Sequence, residues 1–419
     1  MKLSIDNTYR NFWFELLKSD DIQEGYQKVF DLFCASRDAG NDPQAILQVQ
    51  VDACKHIFTL EQLKTTLNKS NEELLATFFG HMRSIVKHIM DSLAWRVSNY
   101  NRVLLQLLAE HPNTGHLDES ILVDLDEAAK IIEEEQAIVL VNDLTHTLRY
   151  GDLTIFKDGA FRIKENKGGK ASKRNVRATY QEKNLNNLLR FLNLSFREFP
   201  DRRDYIIQTH APIQTYHSSV AASIENAREH GYAQTMLSDC IALEALWIDG
   251  PEAHIPEQRP FHEAKYAIPV NSLQMSDLPA TLIAPYGIFP LSEKTCFELM
   301  TGELVLSAIL NLEELQKKYS QCGLNLKLPH PSKDEIKAYL EGSFAERKKR
   351  QPHLVIEDIN SGISTPFTYL WRSVYEFWHE ETCIQVSREI IKLMNEVHFS
   401  DDKTTRFYIS YGDEKPVWR

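Results

Sequence analysis

Residues 151–167 read GDLTIFKDGAFRIKENK, two short apolar runs that meet at Asp158-Gly159. An Asp-Gly pair between such runs predicts a β-hairpin with a two-residue type I′ turn, because both central positions need positive φ. With that turn Lys157 faces Ala160, and counting outward places Asp152 opposite Glu165. Facing positions in an antiparallel pair sit about 4.5–5.5 Å apart, and positions two apart on one strand share a face. Lys167 therefore joins that face, beside Phe156, Phe161 and Ile163.

Facing carboxylates repel, so a fold that keeps them together compensates with a cation, often a hard divalent metal that prefers oxygen ligands. A lysine one pair further along can hold or deprotonate a water on that metal. Phosphodiester hydrolysis requires these parts.

At these residues the chain resembles the PD-(D/E)xK nuclease superfamily, whose signature is an Asp, a variable gap, then Glu/Asp-x-Lys on the next strand. Here the signature reads Asp152, twelve residues, then Glu165-Asn166-Lys167. The resemblance covers residues 119–210. Gly151 stands where the superfamily commonly has Pro, and Asn166 fills a middle position that is usually apolar. Three further Glu-x-Lys triplets begin at Glu263, Glu335 and Glu346, so the hairpin discriminates and the triplet does not. Glu263 follows Asp249, but Pro251, Pro256 and Pro260 intervene and forbid a regular ladder.

The chain has 419 residues, 43% of them apolar, enough for two or three domains with their own cores. No run reaches the ~18–20 apolar residues of a membrane span, and the N-terminus lacks the pattern of a secretion signal. The expectation is a cytoplasmic protein. Six scattered cysteines without a Cys-x-x-Cys spacing indicate neither a zinc site nor a disulfide framework. The net charge of −12 argues against attraction of nucleic acid to the whole surface. Between Lys157 and Arg203, however, thirteen Lys or Arg stand against five Asp or Glu. That local excess surrounds the predicted hairpin, and it also suits a solvated charged face.

Residues 1–117 show apolar positions at three- and four-residue spacing and predict a helical domain, with Trp95, Tyr100, Leu104 and Leu108 in its core and Arg96 and Arg102 on its surface. A helix from about Asp118 turns strand-like near LTHTLRY (144–150). His146 lies there and reads as a packed or hydrogen-bonded side chain. After the hairpin come a basic loop, an amphipathic helix carrying Leu185, Leu188, Leu189 and Leu192, a strand near 205, a further helix, and a strand at DCIALEALWID (239–249) that extends the same sheet. Four prolines within 251–269 mark a boundary. Residues 251–419 form an α+β domain, with strands at TLIAPYGIF, PHLVIED and TRFYISYG. Its helices lie at TCFELMTGELVLSAILNLEELQKKYSQCG, PSKDEIKAYLEGSFAERKKRQ and PFTYLWRSVYEFWHEETCIQVSREIIKLMNEV. The basic run Arg347–Arg350 suits a helix C-terminus, and Trp371, Tyr375 and Trp378 lie at helical spacing as core.

The order helix, three strands, helix, strand within 118–250 is the αβββαβ core of the restriction-endonuclease-like α/β fold that the resemblance implies. It further implies Mg²⁺ or Mn²⁺ on Asp152 and Glu165, water activation by Lys167, and phosphate contacts from Gln181 or Arg177. An acidic residue of the preceding helix completes the metal site: Glu135, Glu134 or Glu127. Lys170, Lys173, Arg174 and Arg177 would then contact the nucleic-acid backbone. The implied substrate is DNA, although no motif encodes the groove or 2′-hydroxyl contacts that separate DNA from RNA. The large flanking regions suggest cleavage gated by a protein partner, self-association or a recognised nucleic acid, as in bacterial (antiviral) defence or DNA repair. That step rests on fold-level analogy. The alternative is a catalytically inactive scaffold or nucleic-acid-binding module on the same fold.

Overall fold

Apolar stripes at helical spacing fold the first part of the chain into α1 (Asp20–Asp38), α2 (Pro43–Lys69), α3 (Glu73–Val97) and α4 (Arg102–Ala109). Asp42 caps α2 by accepting from the Gln44 and Ala45 N–H groups at 2.8 and 2.9 Å, ahead of Pro43 at the first helical position. The computed structural model describes residues 20–70, 72–109, 117, 119–166, 187, 190–191, 195–198, 202–209, 212–247, 260–261, 267–271, 284–327, 355–359, 364–366, 376–396 and 404–411.

Trp95, Leu104 and Leu108 are buried as expected. Arg102 is not a surface residue. It is 6% exposed, donates to Glu376 at 2.7 Å, and lies 4.8 Å from the Trp95 ring centroid. Burial of this cation is compensated by the carboxylate and the ring face.

α5 (Ser120–Glu135) ends at Gln136, whose left-handed φ of 54° turns the chain into β1 (Ile138–Val141). The first strand is thus IVLV, and not LTHTLRY. A short 3₁₀ turn (Asn142–Leu144) and an irregular loop carrying His146 follow it. Four consecutive apolar residues bounded by turns read equally as helix or strand, which is why the boundary shifted.

β2 (Leu153–Lys157) and β3 (Ala160–Lys164) form the hairpin, with Lys157 paired to Ala160 and Leu153 to Lys164. Asp158 and Gly159 have φ of 51° and 78°, as a type I′ turn demands. β1 pairs antiparallel with β2, giving a three-stranded sheet in the order β1-β2-β3. α2 and α5 pack on it. Gln50 of α2, buried, donates to the Val139 carbonyl at 2.8 Å and accepts from the Val141 N–H at 2.7 Å along the border of β1.

The remaining sheets differ from expectation. β4 (Phe196–Glu198) and β5 (Arg202–Thr209) form a separate sheet in which β5 runs parallel to β13 (Thr404–Tyr411). β6 (Tyr232–Met236), β7 (Ile241–Trp247), β8 (Ala267–Asn271) and β9 (Leu304–Asn311) make a four-stranded sheet in the order β6-β7-β9-β8. Neither β5 nor β7 extends the hairpin sheet, because β4 and β13 take both edges of the one and β6 and β9 both edges of the other. The expected division at 250/251 separates strands that pair: β7 with β9, and β5 with β13.

β9 corrects another expectation. LVLSAILN is a strand between α7 (Glu293–Thr301) and α8 (Leu312–Gln321), and not the middle of one long helix. Gly302, at φ 86°, stops α7, and Asn311 caps α8 through the Glu314 N–H. Seven of the eight β9 residues are buried, so a continuous apolar run fills a central position between β7 and β8. Of TLIAPYGIF, the described residues 284–289 contain a 3₁₀ turn (Tyr286–Ile288) and no strand.

β10 (Leu324–Lys327), β11 (Val355–Asp358) and β12 (Ser364–Pro366) form a small antiparallel sheet. α9 (Glu380–Glu396) starts later than expected, so Trp378 is not helical but sits in an isolated bridge to Thr215, buried at 1% exposure. Trp371, Tyr375 and Arg347–Arg350 lie outside the described residues. The protein is therefore mixed α/β, a helical N-terminal region followed by small sheets with helices. One contiguous cluster of buried apolar side chains runs through it, from Val29 in α1 to Ile390 in α9. No described helix is long and apolar enough to cross a membrane.

Candidate functional site

Asp152 enters β2 from a tight bend. Gly151 has φ 66°, and a Cβ there would lie 2.5 Å from Ile163 Cγ2 and 3.0 Å from the Lys164 carbonyl. Proline, fixed near φ −65°, cannot take that conformation. Asn142, 1% exposed, holds the bend. Its amide donates to the Tyr150 and Gly151 carbonyls at 2.6 and 3.1 Å, and its Oδ1 accepts from Thr154 Oγ1 at 2.8 Å.

β2 and β3 pair as far as Leu153 and Lys164, and the Asp152 N–H also donates to the Lys164 carbonyl, at 3.0 Å. That carbonyl belongs to the residue already paired with Leu153, so the regular register ends at Leu153 and Lys164 and does not itself set Asp152 against Glu165. Asp152 Oδ2 accepts from the Asn166 N–H at 2.6 Å, and the Asn166 amide donates to Asp124 Oδ1 at 2.7 Å. Asp124 lies on α5 and is 7% exposed. Asp152, Asn166 and Asp124 thus form one polar chain at the open end of the hairpin, with Glu165 beside it.

The three helix acids considered from the sequence sit elsewhere. Glu135 takes Arg162 and Glu127 takes Lys164, and each ion pair holds the carboxyl below the usual range. Arg162 and Lys164 pair with Ile155 and Leu153 across the hairpin. Glu134 is exposed. Asp124 is the α5 carboxylate linked to Asp152, a residue that sequence reasoning missed because only the helix's rotation over the sheet selects it. The polar Asn166 is explained by the same contact. Lys167, Lys170, Lys173, Arg174, Arg177 and Gln181 lie outside the described residues.

No family model, curated protein or solved structure matches the chain. The site is therefore read from its own chemistry.

A second cluster surrounds Asp91 on α3, whose side chain is 1% exposed. Asp91 Oδ1 accepts from the His146 N–H (2.8 Å), the Thr147 N–H (3.0 Å) and Thr147 Oγ1 (2.8 Å). Oδ2 lies 2.9 Å from His146 Nδ1 and 3.7 Å from His88 Nδ1. Burial alone would raise the Asp91 carboxyl, but both histidines and the Thr147 hydroxyl outweigh it and hold the carboxyl below its ordinary value. Burial, and then the neighbouring His146, push His88 down to about 4. His88 and Asp91, three residues apart, share a helix face, a signal legible in the sequence but not exploited. His146 is hydrogen-bonded as expected, and it belongs to the one group among the described residues whose His, Cys, Asp or Glu ligand atoms gather in threes.

Proposed function

We propose that the protein is a divalent-metal-dependent nuclease, acting on DNA foremost, with its site at the open end of the β2–β3 hairpin. The observation that carries this reading is the polar chain that joins Asp152 to Asp124 through Asn166, with Glu165 the next residue along the chain. The donor set is all oxygen, and Mg²⁺ is held through one or two carboxylates plus water and substrate phosphate, so the residues fit a hard dication. When bound, such an ion polarises a phosphoryl oxygen and lowers the pKa of an attached water.

The chain's own residues do the rest. The Asn166 N–H orients the Asp152 carboxylate and Asn142 fixes the bend that delivers it. In this reading Lys167 holds the attacking water, Gln181 or Arg177 steadies the phosphate, and Lys170, Lys173 and Arg174 bind the strand electrostatically.

The test is incubation of the purified protein with single- and double-stranded DNA and RNA, with Mg²⁺, Mn²⁺ or EDTA. Glu165→Ala and Lys167→Ala are expected to abolish metal-dependent cleavage while stability stays within about 1–2 kcal/mol. Cleavage that persists in both variants overturns the assignment.

One observation favours a second reading, an inactive scaffold or nucleic-acid-binding module: an Asp152 oxygen and the Asn166 amide are both engaged in holding the hairpin to α5. That reading predicts salt-sensitive nucleic-acid binding that survives Asp152→Ala, with no cleavage under any metal.

A further inference from the structure

We propose that His88, Asp91 and His146 form a binding site for a d-block dication, zinc foremost, separate from the hairpin carboxylates and independent of the nuclease reading. The ligand atoms of the three residues all lie within 4.8 Å of one another. The two separations from Asp91 Oδ2, 2.9 and 3.7 Å, straddle the roughly 3.3 Å between neighbouring ligand atoms around a tetrahedral ion with bonds of ~2.0–2.1 Å.

The carboxylate is built for one-oxygen ligation. Its Oδ1 is occupied by two backbone N–H groups and a hydroxyl, which fix the plane of the group and aim Oδ2 at the imidazoles. Metal sites use such outer partners to orient the ligands. The two rings lie 4.7 Å apart between centroids at a tilt of 41°, close enough to repel if both were charged. Neutral imidazole is the ligating form. The elements come from distant parts of the chain, α3 and the loop before β2, so an ion here would tie that loop to the helical region.

The donor set selects the metal. Two imidazole nitrogens and one carboxylate suit zinc and its d-block neighbours, whereas Mg²⁺ and Ca²⁺ favour oxygen alone. With one carboxylate in the group, a hard ion finds little to bind, whereas two imidazole nitrogens serve a d-block ion. Three protein ligands leave a fourth position for water or another donor.

The test is titration of metal-stripped full-length protein with Co²⁺, read by its visible d–d absorption, followed by displacement with Zn²⁺. One equivalent is expected to bind. His88→Gln and His146→Gln should each weaken binding by at least about tenfold, Thr147→Val by about 10–100-fold as an outer partner, and His56→Gln on α2 not at all. A wild-type protein that binds Co²⁺ no more tightly than His88→Gln or His146→Gln overturns the proposal. Should those variants fail to fold, paramagnetic resonance of Cu²⁺ on the wild type decides: coupling to two imidazole nitrogens supports the site, and coupling to one or none overturns it.

Discussion

The Asn166 N–H donates to Asp152 Oδ2 at 2.6 Å, so the residue in the middle of the Glu-x-Lys triplet is what orients the aspartate on the facing strand. Its side chain reaches the other way, to Asp124. One residue thereby ties hairpin, bend and helix together.

Asn166→Ala keeps the backbone bond to Asp152 and removes only the amide bond to the buried Asp124. The expected loss is about 1.5–3 kcal/mol, the range for a hydrogen bond to a charged group. Urea denaturation measures it, and a loss below about 0.5 kcal/mol would mean that the contact carries no weight.

Two glycines with positive φ should respond differently to alanine. At Gly159 (φ 78°) no atom lies within 4 Å of an added Cβ, so only the left-handed backbone is penalised, about 1–2 kcal/mol. At Gly151 the same penalty combines with the Ile163 and Lys164 clashes, and overpacking adds about 1–3 kcal/mol. Thermal unfolding of both variants should rank Gly151→Ala as clearly the less stable.

Asp91→Ala strips acceptors from the His146 and Thr147 N–H groups and from the Thr147 hydroxyl at once. Each buried donor left without a partner costs about 1–3 kcal/mol, so the variant should lose at least about 3 kcal/mol in denaturant titration. Amide hydrogen exchange should quicken at positions 146 and 147.

Arg102 and Glu376 form a buried pair that also receives the Ala284 N–H at 2.9 Å. Arg102→Met strands the carboxylate and should cost about 3–5 kcal/mol. Combined with Glu376→Gln it should cost less than the two single changes together, and a double-mutant cycle measures the difference.

His217 lies 5.4 and 5.9 Å from the rings of Phe289 and Phe377, and burial pushes it down to about 4 from an ordinary value of 6.5. Between those two values the unfolded chain holds the proton and the native protein does not, so stability rises with pH across the window. Acidification from pH 6.5 to 4 should remove roughly 3 kcal/mol through this group. His217→Phe should flatten the slope without abolishing it, because His88 titrates in the same window. Unfolding curves at pH 7 and 4.5 for both proteins measure the change.

The hairpin was legible because its turn chemistry is local and its register follows by counting from Asp158-Gly159. The helices α1 to α4 were legible for the same reason, a repeated short-range period. LVLSAILN was not, since an unbroken apolar run suits a buried strand or a buried helix equally, and only the strands on either side decide. The parallel pairing of β5 with β13 joins residues about 200 positions apart, and no local pattern encodes it. At the site, Asp124 and Glu135 looked alike because both belong to an acidic helix. Arg162 claims the second and Asn166 the first, a distinction made by the rotation of α5 over the sheet. Arg102 read as a surface cation for want of its partner, which lies far along the chain.

Gln50 gives the outermost strand of the hairpin sheet a neighbour that is not a strand. Its amide fills one acceptor and one donor place on β1, the places through which a foreign extended peptide would dock. Zippering of a foreign strand along this rim is therefore hindered by a single helical side chain.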